Sequence, residues 1–128
     1  MRKSIVAASI SGLVLLAPVT AAVAQQWVPG AEIVGQSVQV ETNGVVNTVS
    51  FDPGGAARSM SPSGNMVQGT WTAAGGQLCL SASGGRECWP YTQAFQAGQQ
   101  VTLVSSCNVA SRWLAPGTNM QAPRGERG

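Results

Sequence analysis

The feature that most constrains this chain is its punctuation. Turn-forming clusters recur at intervals of roughly ten residues: Asn43-Gly44, Asp52-Pro53-Gly54-Gly55, Ser61-Pro62-Ser63-Gly64-Asn65, Ala73-Ala74-Gly75-Gly76, Ser83-Gly84-Gly85 and Gln96-Ala97-Gly98. The segments between them are short and rich in Val, Thr, Leu and Trp, residues that suit a pleated, half-buried surface. This spacing predicts eight strands, over about 33–41, 45–51, 55–60, 66–72, 77–82, 85–91, 100–105 and 108–114. A short helical turn fits residues 91–96; elsewhere after the N-terminal region no window carries a helical period. The expected fold is all-β: an eight-stranded antiparallel meander, closed or nearly closed into a small barrel. Closure removes the exposed edges that an open sheet offers to other chains.

Two hairpins fix the strand register. Asn43-Gly44 suits a two-residue type I′ turn, which needs positive φ at both positions. It pairs Val40 with Asn47, Val38 with Val49 and Gln36 with Phe51. Side chains alternate across a strand, so Val38, Val40, Val49 and Phe51 share an apolar face, and Gln39, Glu41, Thr48 and Ser50 share a polar one. A turn at Ser83-Gly84 likewise pairs Leu80 with Glu87, Cys79 with Cys88 and Leu78 with Trp89. The cysteines then occupy a non-hydrogen-bonded pair, where Cα atoms lie roughly 4.5 Å apart, within the roughly 4.4–6.8 Å that a disulfide accepts. A Cys79–Cys88 disulfide is therefore expected, as a lock on the hairpin.

The N-terminal region carries a different signal. Met1-Arg2-Lys3 is a short positive stretch, Ile5 to Ala24 is predominantly apolar, and Ala22-Val23-Ala24 precedes Gln25-Gln26. That order is the pattern of a secretory signal peptide cleaved near Ala24. Gly12 and Pro18 interrupt the apolar run, whereas a spanning helix needs about 20 continuous apolar residues. The expected organisation is a signal peptide (1–24), an N-terminal segment (25–32), a β-barrel domain (33–114) and a disordered C-terminal tail (115–128). The tail is polar and rich in Pro and Gly, so it buries too little to offset its ordering entropy. Export to the periplasm or beyond follows, with no membrane anchor remaining after cleavage.

Beyond residue 24 the chain has five arginines (58, 86, 112, 124 and 127) against five acids (Glu32, Glu41, Asp52, Glu87 and Glu126). A neutral domain without a basic cluster lacks the footprint of a nucleic-acid binder. The chain contains no histidine, and no lysine after Lys3. That removes the commonest general base, Schiff-base chemistry, and the Ser-His and Cys-His nucleophile pairs. Carboxylate chemistry centred on Glu87 and Asp52 is what remains for an enzyme. No cofactor motif or metal-ligand set is expected: zinc would lack a fourth His or Cys beside three thiolates, and Met60, Met66 and Met120 are not spaced as a copper motif.

In the predicted register Leu78, Leu80, Trp89 and Tyr91 share the inward face with Glu87. Glu87, Trp89 and Tyr91, with Trp71, are the candidates for a ligand-binding mouth. Aromatic faces there would stack on a sugar or an apolar group. The competing reading makes Trp71, Trp89 and Trp113 core bulk and turns Glu87 to solvent, or pairs it with Arg86 or Arg58. Cys107, in Ser105-Ser106-Cys107-Asn108, is the odd cysteine: an inert free thiol, or one that links two copies or exchanges with Cys79 or Cys88.

Gly69-Thr70-Trp71, Leu78-Cys79-Leu80 and Glu87-Cys88-Trp89-Pro90-Tyr91, with Phe51-Asp52-Pro53-Gly54-Gly55-Ala56-Ala57 before them, resemble a pattern in small, uncharacterised secreted β-proteins of proteobacteria. That resemblance spans about residues 33–105 and implies no activity. The same G-x-W and single disulfide are similar to calycin-type barrels such as the periplasmic metalloprotease inhibitors. There the motif lies on the first strand, whereas Trp71 falls on about the fourth. The resulting expectation is a non-enzymatic periplasmic or secreted module that binds a protein or small ligand. The alternatives are a calycin-like inhibitor of an envelope or secreted hydrolase, acting through the segment around Trp27 and Pro29, and a carboxylate-dependent enzyme.

Overall fold

The computed structural model describes residues 26–119; the signal-peptide reading therefore lies outside the described residues. The eight predicted strands are present: β1 (Ser37–Thr42), β2 (Val45–Phe51), β3 (Ala56–Met60), β4 (Met66–Ala74), β5 (Gln77–Ala82), β6 (Gly85–Pro90), β7 (Gln100–Val104) and β8 (Ala110–Leu114). They form one antiparallel sheet in the order β6-β5-β4-β3-β2-β1-β8-β7. Because β8 pairs with β1, the meander comes round on itself, and the ring is open only between β6 and β7. That seam is stitched by the turn before β8: Ser106 N donates to Cys88 O at 2.8 Å, and Cys88 N donates to Ser106 Oγ at 3.0 Å.

Both hairpin registers match the turn chemistry. Asn43 and Gly44 have φ of 53° and 83°, and Val38 lies opposite Val49 and Val40 opposite Asn47. Cys79 lies opposite Cys88 and Leu78 opposite Trp89. The cysteines form a disulfide across a Cα–Cα distance of 4.0 Å.

Four local expectations fail. The first strand begins at Ser37, not near 33. Ile33 N and Val34 N both donate to Gly30 O, so residues 30–35 coil into a turn whose ends, Gly30 and Gly35, have positive φ. The last strand begins at Ala110, not at 108, because Ser105 N bonds Val109 O and Asn108 sits at φ 64°. Residues 91–99 connect β6 to β7 without a helical turn. The chain after Ala115, expected to be disordered, is anchored as far as Asn119. Ala115 is buried, Asn119 N donates to Glu32 O at 2.8 Å, and Asn119 Nδ2 donates to Ala31 O and Val34 O. Backbone carbonyls of the 30–35 turn thus supply the partners that a polar tail otherwise finds only in water. The remainder of that tail lies outside the described residues.

The inward positions divide the barrel into unlike halves. At the end where β1 begins and β2 ends, the interior holds Val38, Phe51, Leu78 and Trp113, all fully buried, with Trp89 among them. Phe95 stacks on Trp113 at 5.6 Å, and Trp89 meets Trp113 edge-on at 5.0 Å. The 30–35 turn, the 91–99 connection and the stretch after β8 cover this end, and Ile33 is buried beneath them. At the other end the inward positions of β3, β4 and β5 carry Ala57, Ser59, Gly69 and Ala82. An eight-stranded barrel is just wide enough to be filled by its side chains or to hold one small ligand. Here large residues fill one half and small ones leave the other hollow.

Candidate functional site

The hollow half is a cavity of about 430 Å³, walled by Val49, Ala57, Ser59, Val67, Gly69, Leu80, Ala82, Glu87 and Trp89, and bordered also by Arg58, Thr70, Ser81 and Arg86 and by the Gly84-Gly85 turn. The first nine face inward by the strand register, whereas Arg58, Thr70, Ser81 and Arg86 border the cavity from outward-facing positions. Val49, Ala57 and Trp89 are buried and make its floor, and Val67, 55% exposed, stands on its open rim. The Trp89 indole N–H is buried and has no acceptor. Cys107 is an exposed free thiol that reaches the same cavity.

Gly69 is what brings β4 against β5 at this wall. A Cβ there would lie 2.1 Å from Ser81 O and 3.3 Å from Ala82 Cβ. The glycine therefore both permits the close approach and removes a side chain from the cavity.

The charges around the cavity sort into paired and unpaired groups. Arg58, on the outward face of β3, donates to both Asp52 carboxylate oxygens, at 2.9 and 3.1 Å. That hydrogen bond, and then the charge behind it, raises the guanidinium pKa. Arg112 holds Glu41 in the same two-oxygen fashion at 2.8 and 2.9 Å. Glu87 pairs with neither Arg86 nor Arg58: among the described residues it makes no ion pair and no hydrogen bond. It projects inward, half-buried, while Arg86, its neighbour on β6, occupies an outward-facing position.

The structure thus separates the four mouth candidates. Glu87 and Trp89 line the cavity. Tyr91 and Trp71 are not on its wall and belong to the covered end. The Trp71 indole donates to Asp52 O at 2.9 Å and its ring packs edge-on against Phe51. Gly30 lies across that ring so closely that a Cβ would sit 3.0 Å from it. Tyr91 is buried, with Trp27 edge-on to it at 5.1 Å. Tyr91 is accordingly a core residue, and Trp71, partly buried, packs against the core.

Comparison with protein-family models, curated proteins and solved structures returns no match. The site must be read from its own residues.

One functional group that the sequence did not single out is Glu32. It is buried at 4% exposure, and its carboxylate accepts three hydrogen bonds: from Trp27 Nε1 at 2.9 Å, Tyr91 OH at 2.5 Å and Phe95 N at 2.8 Å. Tyr91 OH in turn accepts from Gly30 N at 3.0 Å. Burial, and then the hydrogen bond to Glu32 and its charge, push the Tyr91 phenol pKa well above its ordinary range. These contacts tie the N-terminal segment to the 91–99 connection, so Glu32 is the fastener of the covered end.

Asp52 is held by Arg58 and is absent from the cavity wall, so Asp52 and Glu87 do not share a cleft. Tyr91 does meet a carboxylate, that of Glu32, but both groups are buried. Among the described residues, no three His, Cys, Asp or Glu side chains come together to hold a metal ion, and no helix is long and apolar enough to cross a membrane.

Proposed function

We propose that this chain is an exported, non-enzymatic β-barrel that holds one small apolar ligand in the open half of its interior. The observation that carries the reading is the about 430 Å³ cavity above Trp89, left by small side chains at inward positions. A largely apolar pocket of a few hundred Å³ with one or two polar groups is the usual form of a small-molecule site. Export rests on the signal-peptide pattern of residues 1–24, and the Cys79–Cys88 disulfide suits an oxidising compartment.

The segment around Trp27, which the inhibitor reading would use as an arm, is spent on the molecule itself. The Trp27 indole donates to Glu32 and its ring packs on Tyr91. This favours ligand binding over an inhibitory terminal arm.

The test is a fluorescence titration with the neutral apolar probe N-phenyl-1-naphthylamine. The wild-type domain is expected to bind one equivalent. Val67→Trp, a substitution at an exposed rim position, is expected to fold normally and to block binding by filling the entrance. Undiminished binding by the variant, or none by the wild type, would overturn the reading.

A further inference from the structure

From the charge layout of the cavity we infer that its ligand carries a cationic amine, which pairs with Glu87. The inference rests on the ligand-binding reading and specifies the chemistry of that site. Its basis is an imbalance. Among the described residues, each charge bordering the cavity has a partner except two: Arg58 holds Asp52, while Glu87 and Arg86 stand unpaired. The two are not equivalent. Arg86 occupies an outward-facing position opposite Ser81 on the wall and can spread its charge into solvent. Glu87 faces inward opposite Leu80, one inward position along β6 from buried Trp89.

A half-buried carboxylate that faces inward beside Leu80 and Trp89 gives up part of its hydration without gaining a donor. An amine brought there by an apolar body restores both charge and hydrogen bonding. The body has its own place, on Trp89 and between Val49, Ala57 and Leu80. An aromatic or aliphatic group extended by a few carbons to a primary amine matches this arrangement: bulk at the floor, cation toward the rim. An acid of the same shape would set its carboxylate against Glu87.

The experiment compares three probes with one body, 4-phenylbutylamine, 4-phenylbutanol and 4-phenylbutyrate, by calorimetry on the wild-type domain, Glu87→Gln and Arg86→Gln. The amine is expected to bind wild type about ten-fold or more tightly than the alcohol, and the acid most weakly. Glu87→Gln should remove the amine's advantage and leave alcohol binding unchanged. Arg86→Gln should leave the amine's advantage intact. Equal binding of amine and alcohol, a preference for the acid, or an amine preference that survives Glu87→Gln would overturn this inference while leaving the cavity as a binding site. No binding by any probe, with N-phenyl-1-naphthylamine also excluded, would overturn the cavity itself.

Discussion

The Tyr91 hydroxyl donates a 2.5 Å hydrogen bond to Glu32 Oε2, joining residues 59 positions apart at the covered end of the barrel. The pair explains how a turn that carries a carboxylate can roof an apolar interior. A buried carboxylate is costly unless donors surround it, and here an indole, a phenol and a backbone amide do so. It also makes the closed end a single fastened unit, which lets the opposite end remain hollow.

Tyr91 is the chain's one tyrosine, so its ionisation can be read directly. Its phenol is held above the ordinary value, mainly by burial. The unfolded chain therefore releases the proton first, near pH 10. Stability is fully present below that pH and falls as pH rises past it, by about 1.4 kcal/mol per pH unit while only the unfolded state ionises. Phenolate absorbance should appear only together with unfolding. Tyr91→Phe should abolish this contribution and cost about 1–3 kcal/mol at neutral pH in urea titrations, because Gly30 N loses its acceptor.

Glu32→Ala removes three hydrogen-bond acceptances at once. With Trp27 Nε1, Tyr91 OH and Phe95 N left without this partner, the loss should exceed that of Tyr91→Phe, at about 3 kcal/mol or more. Urea denaturation of the two variants side by side checks the ordering. Equal stability of Glu32→Ala and wild type would remove Glu32 from its role as fastener.

The Cys79–Cys88 disulfide closes a loop of sequence separation 9. A loop this short limits its contribution to about 2–3 kcal/mol on the chain-entropy model. Replacing both cysteines with serine should lower the unfolding free energy by that amount in urea titrations and keep the β-sheet circular-dichroism signal.

Gly69→Ala forces a Cβ to within 2.1 Å of a backbone oxygen of the next strand. A flexible side chain could move aside, but backbone cannot do so without breaking the ladder. The expected cost is about 1–3 kcal/mol, with weakened probe binding because the displaced strands line the cavity. Ala82→Gly, which removes one neighbour but not the clashing oxygen, should not rescue it. Thermal unfolding of the single and double variants tests this.

How much of this could be read from the sequence depends on whether the determinant was local. Asn43-Gly44 and Ser83-Gly84 set their registers within a few residues, so the disulfide and the inward face of β1, β2, β5 and β6 were legible. Closure of β1 against β8 was legible only as a general preference, since no turn joins Gln39 to Leu114. Glu32 was missed because two of its three donors, Tyr91 OH and Phe95 N, come from a distant connection, 59 and 63 residues away. The one nearby hint was Gly30 and Gly35 bracketing a stretch that otherwise looks like strand. Trp71 and Tyr91 were assigned to the mouth with Trp89 because alternation gives the face of a residue but not its level along the barrel. That level is set by strand stagger, which becomes visible only when all eight strands are in place.

The most direct measurement of the central claim is a map of amide and indole chemical shifts during a 4-phenylbutylamine titration of the isotopically labelled domain. The account predicts saturable movement of the Trp89 indole signal and of the amides of Ala57, Gly69, Leu80 and Glu87, with the Trp27 indole unmoved. Movement centred on Trp27, Glu32 and Tyr91 with the β5–β6 wall silent, or no movement anywhere, would contradict it.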